Sequence, residues 1–179
     1  PSIYSKKTMM FYGVPSHKIT VIPHGIDASF GIHDGTDYKS LFRLEGFPTV
    51  GYFGRLRVKK TAQSKNLVSL LKTMKLVIKS VPDAKLALAG RGYEEIEPYI
   101  KDLGLTNNVI YVGELKSEDV PKFIKACDII VCPALSDGFC FLLAEAGASG
   151  KATIATNLGS HPERIVHNQT GLLASSNPE

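Results

Sequence analysis

From Pro48 onward, short apolar runs alternate with segments whose apolar residues recur every three or four positions, which predicts strands joined by helices in a parallel sheet. Thr49 to Phe53 reads as a strand, and beyond a polar loop Leu67, Leu70, Leu71, Met74, Val77 and Ile78 share one helical face. Lys85 to Ala89 is the next strand, with Ile96, Tyr99, Ile100 and Leu103 marking its helix and Gly104 its end. Pro98 is expected to fall near the first turn of that helix, where a missing N–H is tolerated. Val109 to Val112 leads to Ser117 as a helix N-cap, followed by Val120, Phe123, Ile124 and Cys127 at helical spacing. Ile129 to Cys132 is apolar throughout, as in a strand buried on both faces, and Phe139 to Ala148 reads as a buried helix. Ala152 to Ala155 and Gly171 to Leu173 are shorter strands around a brief helix at Pro162 to Val166. The expected fold is α/β, a Rossmann-like doubly wound parallel sheet of about six strands with helices on both faces.

The first part of the chain reads differently. Ile3 to Tyr12 fits a helix, Ile19 to Ile22 a strand and Pro23-His24-Gly25-Ile26-Asp27 a turn, while Gly31 to Gly46 has no periodicity and is expected to be an ordered loop. Residues 1–18 are therefore expected to be a connector carrying the last helix of an N-terminal domain outside this chain. Residues 19–179 would form the Rossmann-like domain, truncated at both ends.

A length of 179 residues suits one domain, and 44% hydrophobic with 21% charged residues excludes a disordered chain. The net charge of +4 admits anionic partners. Lys and Arg are nevertheless scattered outside Lys6-Lys7 and the Arg55 to Lys60 stretch, so no nucleic-acid partner is expected. Cys127, Cys132 and Cys140 form neither a CxxC pair nor an even set, so neither a disulfide framework nor a metal centre is expected. A reducing cytoplasm fits that cysteine usage. No apolar stretch reaches membrane-span length and the N-terminus lacks a signal-peptide layout, which leaves peripheral membrane contact open.

Open α/β sheets bind ligands at the carboxyl ends of their strands. The residues there are Gly54-Arg55, Gly90-Arg91-Gly92, Gly113-Glu114, Ser136-Asp137-Gly138, and Thr156-Asn157 with Gly159. Glycine lets a ligand approach the backbone and helix N-termini offer free N–H groups to phosphate, so this set points to a phosphorylated ligand. Taken loop by loop, the plainer reading is that such turns need glycine anyway. Gly90-Arg91-Gly92 runs on to Glu95 without a third glycine, an incomplete dinucleotide fingerprint that gives no case for NAD.

Asp137 precedes a glycine at a helix start, and Glu145 lies eight residues on inside an otherwise apolar helix, where a carboxylate needs a reason. Were both helical, they would stand roughly 12 Å apart along the axis, about the span from a hexose to a ribose across a diphosphate. The pair fits the two sugars of one nucleotide-sugar. It fits equally a Glu145 held structurally by a lysine or a backbone amide.

Asp137-Gly138-Phe139-Cys140-Phe141-Leu142-Leu143-Ala144-Glu145-Ala146 resembles the signature of family 4 of the retaining glycosyltransferases, Glu-Gly-Phe-Gly followed by an apolar stretch and Glu-Ala. The likeness extends to Val21-Ile22-Pro23-His24-Gly25-Ile26-Asp27, Gly54-Arg55-Leu56, Gly150-Lys151, Ile154-Ala155-Thr156, Pro162-Glu163 and Thr170-Gly171-Leu172-Leu173, and so covers almost the whole chain. The resemblance implies a GT-B enzyme with its site between two Rossmann-like domains, this chain being the C-terminal, donor-binding one. It implies a nucleoside-diphosphate-sugar donor, a hydroxyl acceptor and no cofactor or metal. Arg55 and a lysine would hold the diphosphate, Asp137 the transferred sugar and Glu145 the ribose. N–H groups around Phe139 and Cys140 would meet the sugar-phosphate, and Gly54, Gly90, Gly92, Glu114 and Gly138 would complete the donor site. The family places its lysine about five residues after the arginine, where Lys60 stands, yet always just before the next helix, where Lys65 stands. Lys65 is preferred here, with Val58 to Ser64 as an inserted loop.

The sequence departs from the family at four places. Asp137 stands for Glu, shortening the reach by about 1.5 Å, Cys140 for Gly, Gly147 for Met and Ala152 for Pro. Cys140 is expected to be a packed small residue and His161 a surface histidine. Two alternatives stay beside the transferase reading: a non-catalytic nucleotide-sugar-binding or scaffolding domain, and a GT-B epimerase.

Overall fold

A computed structural model describes residues 1–32, 36–58 and 65–176. Helix α1 (Ile3–Phe11) precedes an alternation of β1 (Thr49–Phe53), α2 (Leu67–Ser80), β2 (Lys85–Ala89), α3 (Tyr93–Asp102), β3 (Val109–Gly113), α4 (Val120–Ala126), β4 (Ile129–Cys132), α5 (Phe141–Ala148), β5 (Ala152–Thr156) and β6 (Leu172–Ala174). All six strands are parallel, in the order β3-β2-β1-β4-β5-β6. Helix α2 packs beside α3 and α4 beside α5. Right-handed crossovers assign these pairs to opposite faces, because the chain moves outward from β1 to β3 and then reverses through β4 to β6. The doubly wound sheet is as expected, and its reversal between β1 and β4 opens the crevice where such folds take ligands.

The core follows the helical stripes. Leu67, Leu70, Leu71 and Met74 of α2 and Ile96 and Ile100 of α3 are buried against Leu86 and Leu88 of β2. Truncating a wholly buried residue such as Leu71 to alanine costs about 2–5 kcal/mol. Gly104 ends the β2–α3 unit with φ +71°, while the Gly104 N–H reaches the Lys101 carbonyl and the Leu105 N–H that of Ile100.

Several local expectations need correction. Ile19 to Ile22 joins no strand ladder; Ile19 and Val21 are half-buried and Thr20 and Ile22 exposed, so the alternation records an extended segment lying on the body. Pro98 sits inside α3, beyond the first turn, and the helix holds because Ile96 and Ile100 on either side are buried. Ser117 lies within a short 3-10 turn, Ser117–Asp119, and caps nothing with its side chain. In β4, Ile129 and Val131 are only half-buried, and Val131 lines an open hollow with Ser69, Leu70 and Thr73 of α2. The helix expected from Phe139 starts at Phe141, because Cys140 takes a left-handed conformation with φ 59°. The brief helix expected at Pro162 to Val166 is the 3-10 turn His161–Glu163. Within the unpatterned stretch before β1, Phe42 and Leu44 are core residues around the turn Ser40–Phe42. No helix among the described residues is long and apolar enough to cross a membrane.

Candidate functional site

Arg55, Lys65, Asp137, Cys140 and Glu145 line one cleft of about 290 Å³ together with Tyr52, Gly54 and Leu142. It lies at the carboxyl ends of β1 and β4, the point where strand order reverses. Two cations and two acids widely separated in sequence are thus brought together on one side of the sheet. Lys60, the alternative phosphate lysine, lies outside the described residues, as does most of the loop expected at Val58 to Ser64.

Each of these side chains reaches the cleft for a local reason. Arg55 follows the end of β1, where the Tyr52 hydroxyl donates to the Arg55 carbonyl at 3.4 Å, and its guanidinium has no hydrogen-bond or ion-pair partner among the described residues. Lys65 stands just before α2 and donates to Asp137 Oδ2 at 3.0 Å, with side chains 33% and 19% exposed. Asp137 Oδ1 accepts from the N–H groups of Phe139 at 3.1 Å and Cys140 at 2.7 Å. Burial works to raise the Asp137 pKa, but these N–H donors and the Lys65 ammonium outweigh it and hold the carboxyl below its usual value.

Glu145 is different. It projects from the second turn of α5, half-buried, with no hydrogen-bond or ion-pair partner among the described residues. Burial alone pushes its carboxyl above the usual value. The structural partner that would have explained this acid, a lysine or a backbone amide, is missing among those residues. A half-buried carboxylate facing a cleft is poised to accept hydroxyl donors from a ligand.

A second cleft of about 470 Å³ adjoins the first across Gly54 and Arg55 and is lined by Arg57, Gly90, Arg91, Glu114 and Leu115. The two strand-end glycines make this approach possible: a Cβ on Gly90 would stand 2.0 Å from the Gly54 carbonyl oxygen. Glu114 pairs with Arg91 at 2.6 Å in an exposed bridge.

The remaining candidates lie outside both clefts. Gly92 caps α3 at φ 97°. The Gly138 carbonyl accepts from Ser2 Oγ at 2.5 Å and Ser5 Oγ at 3.2 Å. Phe139 is buried, edge-on to His24 at 4.9 Å and under the Arg164 guanidinium at 4.1 Å. The Phe139 and Cys140 N–H groups, expected to meet a sugar-phosphate, are here taken by Asp137.

The loop before α5 is clamped from outside. Glu163 accepts from the N–H groups of Ile3 at 2.8 Å and Tyr4 at 2.7 Å, so the Pro162-Glu163 motif caps α1, while Ser2 and Ser5 hold Gly138. His24 stacks on Phe141 at 5.0 Å. Sequence patterns named these motifs but not their mutual contacts, nor Arg57 and Tyr52, which no motif marks. His161 is wholly buried, contrary to expectation, because its ring tucks under the end of β5: Nδ1 is 2.9 Å from the Thr156 carbonyl.

The Rossmann-like sheet thus gathers at its switch point a cation and an acid without partners among the described residues, a paired cation and a helix start. A profile of the family described as glycosyl transferases group 1 matches residues 38–179, and the chain belongs to that family. It is 28% identical to the lipopolysaccharide core biosynthesis mannosyltransferase LpsB of Rhizobium meliloti, with 96% of this chain and 50% of that protein covered. It is 26% identical to the GDP-mannose-dependent alpha-(1-6)-phosphatidylinositol monomannoside mannosyltransferase of Mycobacterium tuberculosis, covering 89% of this chain and 43% of that protein. The chain thus spans about half the length of the curated relatives it matches. In fold it is similar to Anabaena HepE, solved with UDP and glucose, at a TM-score of 0.86 and 23% identity over 99% of this chain and 49% of that one. The C-terminal domain of the group 1 glycosyl transferase LpcC from Francisella tularensis superposes with a TM-score of 0.68 at 27% identity, covering 84% of this chain and 80% of that domain.

Proposed function

We propose that this chain is the donor-binding domain of a retaining, family 4 GT-B glycosyltransferase that moves a sugar from a nucleoside diphosphate to a hydroxyl acceptor. The observation that carries the reading is the convergence of Arg55, Lys65, Asp137 and Glu145, the last without a partner among the described residues, on one cleft at the switch point. As the glycosidic bond breaks, charge gathers on the diphosphate. Arg55, Lys65 and the start of α5 meet that charge with fixed positive ends. Arrival of phosphate draws Lys65 from Asp137, freeing the acid for sugar hydroxyls and the Phe139 and Cys140 N–H groups for phosphate oxygens. Glu145 takes the ribose hydroxyls. The acceptor surface belongs to an N-terminal domain of the full-length enzyme.

The relatives and neighbours carry both GDP-mannose and UDP in their names, so the base is a property to measure. The test uses the full-length polypeptide with labelled UDP-, GDP- and ADP-sugars. Transfer is expected from one base series, with the anomeric configuration of the donor kept and activity abolished by Arg55→Ala and by Glu145→Ala. An inverted product refutes retention, and transfer unaffected by both substitutions refutes the site. A second reading, a nucleotide-sugar-binding domain without catalysis, is favoured by Asp137 occupying the amides a phosphate would need. Binding without any transfer by the full-length polypeptide would select it.

A further inference from the structure

Cys132 at the end of β4, Cys140 before α5 and His161 in the turn after β5 are all buried, and their ligand-type atoms lie within 4.8 Å of one another. The two sulfurs are 3.1 Å apart, and Cys132 Sγ is 3.5 Å from His161 Nε2. The histidine tautomer follows from its surroundings. Nδ1 faces the Thr156 carbonyl at 2.9 Å, which can only accept, and Thr156 Oγ1 at 3.0 Å, whose proton is already donated to the Ala134 carbonyl. Nδ1 therefore carries the hydrogen, and the Nε2 lone pair points at the thiols. A ring nitrogen fixed by a backbone carbonyl with its other nitrogen free is the arrangement that orients metal-ligating histidines.

We propose that Cys132, Cys140 and His161 form a buried three-ligand site for a thiophilic divalent ion of the zinc type. A tetrahedral zinc with Zn–S of about 2.3 Å and Zn–N of about 2.05 Å sets S···N at about 3.6 Å and S···S at about 3.8 Å. The observed Cys132–His161 separation already meets the first value. The second requires the sulfurs to part by roughly 0.7 Å, a small turn of the Cys140 side chain. Both cysteines also line the cleft, so the fourth position is left to a small ligand from that side. The bound ion joins β4, the loop before α5 and the turn after β5, and so fixes the Asp137 to Phe141 segment from beneath. The spacing of eight residues between the cysteines, with histidine on a distant turn, hides the set from zinc motifs read along the chain.

The test titrates reduced, chelator-stripped chain anaerobically with Co2+ and then displaces it with Zn2+. The expected result is one ion per chain with a thiolate-to-cobalt charge-transfer band. Cys140→Gly suits its left-handed backbone and His161→Leu keeps an apolar core, so both variants keep the fold. Each should weaken binding by more than the about 10- to 100-fold that loss of an outer-shell partner costs. Cys127→Ala, away from the cluster, should leave stoichiometry unchanged. Absence of the cobalt band in the wild-type chain, or uptake undiminished in Cys140→Gly, overturns the proposal. So does a reduced chain that takes up no ion and on oxidation merely joins Cys132 to Cys140.

Discussion

Replacing Asp137 with alanine removes an acceptor from two N–H groups on buried residues and a partner from Lys65. The two amide contacts resemble a helix cap, whose loss costs about 0.5–2 kcal/mol, and the Lys65 pair, on a side chain one-third exposed, adds at most about 1 kcal/mol. The expected destabilisation at pH 7 is therefore about 0.5–3 kcal/mol, or roughly 1–12 °C in Tm. Asp137→Asn keeps an oxygen for the amides and loses only the ion pair, which should cost about 1 kcal/mol. The pH dependence has a defined sign. The folded pKa lies below the unfolded value, so the folded chain binds fewer protons; the stabilisation is complete above about pH 4 and is lost as pH falls through the lowered folded pKa. Urea unfolding of wild-type, Asn and Ala chains from pH 7 downward reads both effects. An alanine variant within about 0.5 kcal/mol of wild type, or a wild-type-to-Asn difference that stays constant into acid, refutes the assignment of these contacts to an ionised Asp137.

Glu145→Gln should stabilise the chain by about 0.5–2 kcal/mol at pH 7–8 while weakening nucleotide-sugar binding, the trade expected of a functional acid. Its folded pKa is raised, so the ionised group destabilises above that pKa and the two chains should converge below about pH 4; a glutamine variant less stable than wild type at pH 8 contradicts an unpartnered carboxylate. Gly90→Ala should cost more than about 3 kcal/mol, since its Cβ would meet the Gly54 carbonyl oxygen, whereas Gly104→Ala, open around its Cβ, should cost only about 1 kcal/mol. Equal thermal shifts in the two alanine chains would show that the contact between the strand ends is not tight.

The sheet and its helices were legible because their information is local and periodic: the stripe from Leu67 to Ile78 and the apolar run Leu86 to Ala89 each carry their own burial pattern. What escaped was set by contacts distant in sequence. Phe42 and Leu44 are core residues without a periodic neighbourhood, since they enter from 3-10 and irregular backbone. The start of α5 shifted by two residues because Cys140 adopts a left-handed conformation that no side-chain pattern announces. His161 looked like a surface residue until the Thr156 carbonyl and Cys132 enclosed it. At the site, Arg55, Asp137 and Glu145 were visible in sequence from their strand-end or helical positions, whereas Lys65 was marked only by the family resemblance. That Asp137 already holds Lys65 and two amides was not visible, because the pairing depends on loops 72 positions apart coming together.

One cleft at the β1–β4 switch point is proposed to hold a nucleoside-diphosphate sugar. Calorimetric titration of the chain with UDP, GDP, ADP and their sugars, repeated on Arg55→Gln, is the test, since the Arg55 guanidinium has no partner among the described residues and its loss should leave the fold intact. Saturable binding to one base series is expected, weakened at least about tenfold in the variant, the equivalent of about 1.4 kcal/mol. No binding to any of these ligands, or equal affinity in Arg55→Gln, contradicts it.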